Sequence, residues 1–449
     1  IKVMKFGGTS VATHEARLIA ARKVINEAEN GFTPVVVVSA IGRKGMPYAT
    51  DTLLTLLSEV DPLVAQDPRE VDLMLCCGEI MSTCIFAQTL KSLGHPASAM
   101  TGGQAGLVTD ANHGNARIIE VKPDDVFKVI QRGRIPVVCG FQGRSKPTED
   151  SVYGEITTLG RGGSDTTASA LGAALGAIAI EIYTDVDGVK TADPEFVPEA
   201  PTLRKMTYEE IAEIAHQGAK VVHPRAAEIA MKFQIPLYIK CTFTDEPGTE
   251  VVKPEEWNER RVTGVTHTGK LIYLEFDASF GADKHLLESH IYGLMADHQI
   301  NLFMLNVHPN SFGFAVPRKQ FQRVQEILDG LVVPIKHDTI RTYIIQIGRA
   351  TSSEVSVQER LLQNQSIFGK IQKCVARVTE NCTMVSAIAH DYLQQPGIYL
   401  RVLECLHEES IGVLQTSDSP LSLSVLVSES DCERAVRILH EEFELASAE

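Results

Sequence analysis

Through about Phe243, runs of β-branched residues alternate with alanine-rich amphipathic segments, and that alternation leaves few folds open. Strands joined through helix-length crossovers lie parallel, so the pattern reads as βαβ units around a mainly parallel sheet. Val35 to Ser39 and Ile135 to Cys139 are such strand runs. Between the first two strands, Ala16, Ile19, Ala20, Lys23, Val24 and Ala28 recur at helical spacing, and Gly31 supplies the stop. The chain therefore opens as strand, glycine loop, helix, strand. Its 449 residues suffice for about three domains. With 44% hydrophobic and 22% charged residues, it falls in the ordinary globular range and outside the disordered and fibrous classes.

From Asp245 to Arg261 the composition turns polar, with Pro247-Gly248, Lys253-Pro254 and a charge cluster from Glu255, which is linker composition. Beyond it the sequence repeats. Ile300 to Leu328 lies over Ile411 to Leu439 without a gap at an offset of 111, matching Ser311 with Ser422, Val316 with Val427 and Arg323 with Arg434. The same offset pairs strand-like Leu271 to Phe276 with Cys382 to Ala387, and helical His285 to Asp297 with Pro396 to Glu408. Each unit reads strand, helix, strand, turn, strand, helix, a small α+β module. The expected organisation is a first domain over 1–245, a linker over 246–261, one module over 270–340, a connecting segment with a polar insert over 341–380, and a second module over 381–449.

Forty-two basic against 57 acidic residues give a net charge of −15, so duplex nucleic acid is repelled and an anionic ligand must be held by locally concentrated cations. No nucleic-acid partner is expected. The apolar stretch from Leu171 to Ile180 is broken by glycines and stopped by Glu181, so no membrane partner is expected either. Ile1 to Lys5 reads as a strand rather than a secretory leader, and nine scattered cysteines lack a Cys-x-x-Cys pair. The expectation is a reducing cytoplasm and no protein-ligated metal.

Four stretches carry chemistry. Lys5-Phe6-Gly7-Gly8-Thr9-Ser10 joins the first strand to the first helix; it is either a tight connection or a phosphate loop whose backbone N–H groups and lysine face an anion. Leu159-Gly160-Arg161-Gly162-Gly163-Ser164-Asp165 packs three glycines, a guanidinium and a carboxylate before a small-residue helix, as suits a site gripping an anion and an ammonium together. Tyr183 to Val189 and Thr191 to Pro194 contain Asp-Gly and Asp-Pro, which by themselves read better as turns than as sites. Gln217 to Arg225 brings three cations together, with His223 before a proline reading as structural. Gly264 to Lys270 imitates a Walker loop, but Leu271 stands where a hydroxyl should reach magnesium and a strand follows, so it is rejected.

Taken together these residues resemble the amino-acid kinases, and among them the aspartate kinases. Lys5 to Ser10, Cys77-Gly78-Glu79 with Met81-Ser82-Thr83, Gly160 to Asp165, Thr184-Asp185-Val186, Thr191 to Pro194 and Gly218 to Pro224 match that family's motifs in order and spacing. The repeated modules resemble its tandem ACT domains. The resemblance implies an α/β amino-acid kinase fold, a mainly parallel sheet between helix layers, followed by two ferredoxin-like βαββαβ ACT modules. It also implies that 262–268 supplies a strand to the second module.

The implied reaction moves phosphate from ATP to the β-carboxylate of L-aspartate, the first step toward lysine and diaminopimelate, threonine and methionine. By matched position, Lys5 and Asp165 are the catalytic pair, Lys5 facing the moving phosphoryl group and Asp165 orienting it. Phe6, Gly7, Gly8, Ser10, Thr184, Asp185, Lys190, Lys220 and Val221 face ATP, with Mg2+ carried on its phosphates. Ser39, Thr50, Glu79, Phe141, Arg161, Gly162, Gly163 and Ser164 form the aspartate pocket, Arg161 taking the α-carboxylate and Glu79 the ammonium. Gln415, Ser417 and Asp418 mark an effector site for lysine, threonine or diaminopimelate, and the ACT modules imply a homodimer. Two positions depart from the family pattern: Glu195 stands where arginine is usual, and Phe303 where many members carry aspartate. A kinase for glutamate or acetylglutamate, and a non-catalytic amino-acid sensor, are the rival readings.

Overall fold

The computed structural model describes residues 1–60, 66–147, 151–218, 222–253, 262–277, 284–336, 340–348, 370–389 and 397–447. It divides into two compact units: Ile1–Gly264 with Ile388–His390 and Glu444–Glu449, and Val265–Ala387 with Asp391–Phe443.

The strands of the first unit are β1 Lys2–Phe6, β2 Pro34–Val38, β3 Ala97–Met100, β4 Leu107–Thr109, β5 Ile118–Val121, β6 Ile135–Cys139, β7 Gln142–Ser145, β8 Ile156–Thr158, β9 Ala179–Thr184, β10 Lys205–Thr207, β11 Leu237–Cys241 and β12 Thr249–Val252. Its helices are α1 His14–Glu29, α2 Thr50–Val60, α3 Pro68–Ser92, α4 Asp124–Gln131, α5 Gly163–Leu175, α6 Tyr208–His216 and α7 Pro224–Phe233. Eight strands form one sheet in the order β10-β12-β11-β9-β1-β2-β6-β3, parallel except where β12 runs against β11. A smaller sheet of β5-β4-β7-β8 stands beside it.

The two-residue period of the strands sorts side chains into two cores. Val3, Val35, Val37, Ile180 and Ile182 pack with Leu171 of α5 and Ala226, Ala227 and Ala230 of α7. Met4, Phe6, Val36 and Val38 face the other way, onto Ala20, Ala21 and Val24 of α1 and Phe86 and Leu90 of α3. β2 is buried along its whole length, as a strand covered on both faces must be. Ile19, read as part of the buried stripe of α1, is 37% exposed, and Ala21 takes that inward position. Of the segment expected as a linker, 249–252 is β12, inserted between β10 and β11, so the large sheet continues through it. Thr249, Val251 and Val252 are buried there, and a strand so short among turn residues leaves little periodic signal.

By length and hydropathy α3 would pass for a membrane-spanning helix, but half of its apolar window is buried in the unit. That buried face also carries Asp72 and Glu79, which marks α3 as a core helix.

The second unit contains β13 Gly264–Asp277, α8 Lys284–Asp297, β14 Phe303–Val307, β15 Ser311–Pro317, α9 Arg318–Leu328, β16 Val332–Lys336, β17 Ile340–Ile347, β18 Lys370–Ile388, α10 Ile398–Glu408, β19 Gln415–Ser419, β20 Ser422–Ser428 and α11 Cys432–Glu442. Strands β14-β15-β13-β18-β17-β16 join in one sheet, with β20 also on β18 and β19 on β20. Strand β13 pairs with β15 from Leu271 to Asp277 and also adjoins β18. Residues 262–268, assigned to the second module, thus include the start of this long strand, and the Walker-like stretch lies wholly within it. The segment read as a connector is strand at both ends: β17 and β18 pair in parallel from Arg341/Lys370 to Ile347/Ala376. Most of the polar insert, 349–369, lies outside the described residues.

Candidate active site

Strand β1 lies between β2 and β9, so the chain leaves it in one direction and returns on its other side, a topological switch point. In open α/β sheets the crevice beyond the carboxyl ends of the strands at such a point is where ligands sit. Strand alternation turns Val3 and Lys5 toward α5. As the penultimate residue of β1, Lys5 reaches past the sheet to the first turn of that helix. There its Nζ is 2.7 Å from Asp165 Oδ1, with each side chain 11% exposed. The pair is ionic rather than a well-directed hydrogen bond. Asp165 Oδ2 accepts the backbone N–H of His223 at 3.3 Å, which ties the start of α7 to the same carboxylate.

The Lys5 ammonium hangs over the glycine loop, 3.6 Å from where a side chain on Gly7 would begin. Gly7 donates its N–H to Tyr183 O at 3.2 Å, and Gly8 accepts from Gly42 N at 2.9 Å. A Cβ on Gly8 would stand 2.3 Å from Gly42 O, so no other residue fits there. Phe6 is buried and stacks on Tyr183, supporting the loop from below. Ser10 is buried and its hydroxyl lies 2.7 Å from Thr242 Oγ1, fixing the loop to the end of β11. Thr184 and Asp185 follow β9, with Thr184 Oγ1 donating to Asp185 Oδ1 at 3.2 Å. Lys190 forms an isolated bridge with Thr202. Lys220 and Val221 lie outside the described residues.

The second glycine stretch opens α5 at the same edge. Gly162 has φ +70, and a Cβ there would fall 2.3 Å from the His223 ring. Gly163 packs on Phe141 and Leu159, and Ser164 on Gly140. Arg161 is exposed and has no hydrogen-bond partner among the described residues. Phe141 itself takes φ +68, a left-handed backbone that bulky residues rarely adopt and that concentrates at functional sites. Burial first, with Arg225 also opposing, lowers the His223 pKa. Its Nδ1 accepts the N–H of Arg225 at 3.3 Å, so the ring caps α7.

Glu79 enters from α3 and is 2% exposed. Its Oε1 accepts the N–H of Ala40 at 3.1 Å, while Oε2 is buried without a hydrogen-bond partner. Burial pushes its carboxyl up to about 8. A buried unpaired carboxylate oxygen is rare unless a ligand completes it, and a cation would do so. Ser39 precedes Ala40, its N–H bonded to Phe6 O, and Thr50 closes the same loop by opening α2.

Two residues here escape sequence reasoning. Asp72, two turns before Glu79 on α3, is fully buried. It accepts from Gly114 N at 3.0 Å, Thr158 N at 3.0 Å and Thr158 Oγ1, and faces His113 Nδ1 at 2.8 Å. Arg225, within the cation cluster, donates to Asn115 Oδ1 at 3.0 Å and Leu159 O at 3.3 Å. Together they clamp the turn that presents Arg161. The one available signal was an acidic residue at helical register with Glu79 in an apolar helix. A cleft of about 820 Å³ along the smaller sheet, lined by residues such as Lys122, Arg144 and Tyr153, contains none of these groups.

In the second unit, Gln415 begins β19, and its Oε1 accepts from Asn306 Nδ2 at 3.1 Å. Ser417 pairs in register with Ser424, Asp418 is exposed, and Phe303 pairs with Ala315.

The profile of the amino acid kinase family matches residues 1–241, and that of an ACT domain matches 377–441. The chain is 37% identical to Aspartokinase 1 of Bacillus subtilis over 99% of both chains. It belongs to the aspartokinases. Within that family it is 34% identical to the aspartokinase of Corynebacterium glutamicum, over 99% of this chain and 96% of the other. Its fold is that of E. coli aspartokinase III, whose crystal structure was determined in complex with aspartate and ADP. The TM-score is 0.72 at 23% identity, covering 98% of this chain and 99% of that one.

Proposed function

We infer that the chain transfers the γ-phosphoryl group of ATP to the β-carboxylate of L-aspartate, giving 4-phospho-L-aspartate, with control through its ACT modules. The observation that carries this reading is the Lys5–Asp165 pair, which joins two glycine loops about 160 residues apart in the chain at one sheet edge. Full-length relatives called aspartokinase point to aspartate rather than glutamate or acetylglutamate.

The β-carboxylate, with an ordinary pKa near ~3.9, is ionised at neutral pH and attacks without a general base. Bringing two anions together and neutralising charge on the phosphoryl group is the remaining task. Lys5, suspended over Gly7, does this at the transferring group, while Asp165 fixes the position of its ammonium. The glycine loop, through the backbone N–H of Gly8 with Gly7 held beneath Lys5 by its bond to Tyr183 O, and the residues Thr184, Asp185, Lys190, Lys220 and Val221 serve the nucleotide. Arg161 holds the substrate's α-carboxylate by its free fork. Glu79 Oε2 takes the ammonium, and Ser39, Thr50, Phe141 and Gly162 to Ser164 shape the pocket. Ser10 positions the loop through the hydrogen bond of its hydroxyl with Thr242.

Magnesium fits as an ion carried on the phosphates. Among the described residues no three His, Cys, Asp or Glu side chains converge on one point, and Asp165 and Asp185 are each engaged by a cation. When bound it would offset phosphate charge. Gln415, Ser417 and Asp418 mark the effector face, for lysine, threonine or diaminopimelate, and the ACT modules pair two subunits.

Turnover of ATP with aspartate, glutamate or acetylglutamate, with hydroxylamine trapping any acyl phosphate, tests the reading. Aspartate hydroxamate should dominate. Faster turnover with glutamate, or amino-acid binding without ATP consumption, would replace it.

A further inference from the structure

The loop from Gly42 to Ala49 is not a passive link between β2 and α2. Gly42 sits on the glycine loop, its N–H donated to Gly8 O at 2.9 Å, and has φ +85; Gly45 has φ +91. Met46 N–H bonds back to Arg43 O at 2.9 Å, closing a turn that aims Arg43 outward. The guanidinium of Arg43 then pairs with Asp185, although Arg43 follows β2 and Asp185 follows β9. Between those strands lies β1. The pair therefore spans two inter-strand spacings, roughly 10 Å, across the mouth of the crevice above Gly7 and Gly8. Both side chains are substantially exposed, 68% and 38%, so water screens the attraction and little holds it shut.

Resting on the kinase reading, we propose that Arg43 is a phosphate-binding residue. In the empty protein it is parked on Asp185; nucleotide entry exchanges that carboxylate for a polyphosphate oxygen pair. Phosphate is the better partner, since its oxygens accept both arms of the guanidinium and carry more charge than one exposed carboxylate. The exchange also frees Asp185 beside the nucleotide. Lys5 is already committed to Asp165, so Arg43 supplies a second cation at the opposite side of the glycine loop.

The test measures kinetics and calorimetric nucleotide binding for the full chain and for R43A and R43K. R43A should raise the ATP KM and Kd about tenfold or more, the scale of losing a charge-assisted pair, with aspartate KM within about twofold and adenosine, which lacks phosphate, bound as by wild type. R43K should recover part of the loss. An unchanged ATP Kd in R43A, or an equal loss for adenosine, would overturn the proposal. Weakened ATP binding in R43A alongside a wild-type protein that never phosphorylates aspartate would sustain Arg43's role and remove the aspartate reading instead.

Discussion

Glu79 shows what a single residue contributes and what it costs. Its carboxyl lies at about 8 rather than the 4.5 of an unfolded chain because burial disfavours the charge. The folded protein therefore holds a proton that the unfolded chain releases between those values. This residue's contribution to stability falls as pH rises from about 4.5 to about 8 and is constant above. On the proposal that Glu79 takes the substrate's ammonium, binding requires the ionised form, so below pH 8 aspartate would have to displace that proton. The aspartate KM should fall as pH rises from 6.5 to 8, by at most roughly tenfold per unit, and level off above. In E79Q the KM should be higher and nearly flat with pH. A wild-type slope retained in E79Q would assign the titration elsewhere. The glycine loop made Lys5 legible in the sequence and the family resemblance made Glu79 so, because a motif names its residues. Arg43 and the duty of Arg225 were not legible, since an exposed arginine's partner depends on where distant loops end.

At the scale of an element, α3 is the organising piece of the pocket. Asp72, Cys76 and Glu79 recur at i, i+4 and i+7, one face of a helix. From that stripe Asp72 fixes the 113–115 loop and Thr158, the Cys76 carbonyl accepts from Gln142 Nε2 at 3.4 Å beside Phe141, and Glu79 fixes Ala40. Removing Asp72 would leave several buried donors without an acceptor, each costing about 1–3 kcal/mol. We expect D72A to lose about 3 kcal/mol or more in urea unfolding and to raise the aspartate KM more than the ATP KM. Loss of under about 0.5 kcal/mol, the range of ordinary surface changes, would show that the stripe is not what holds these loops. Elements with strong periodicity were readable in advance, including β2, α1 and the repeated α+β modules. Strand β12, strand β17 and the part of β18 before Cys382 were not, because turn residues and polar composition surround them and their sheet partners are remote in sequence.

Across the whole chain, the glycine loops that the sequence separates by about 160 residues share one edge because β1 is central and α5 covers the face that Lys5 occupies. That placement follows from the βαβ alternation and the two-residue strand period, which is why the meeting of the loops could be anticipated while its supporting contacts could not. The account stands most directly on the rate of phosphoryl transfer in Lys5→Ala, measured in a single turnover with saturating ATP and aspartate and with nucleotide binding followed by calorimetry. Losing the cation aimed at the developing charge should slow transfer by about a hundred- to a thousandfold while the nucleotide still binds and the protein stays folded. A rate within a few-fold of wild type would contradict it.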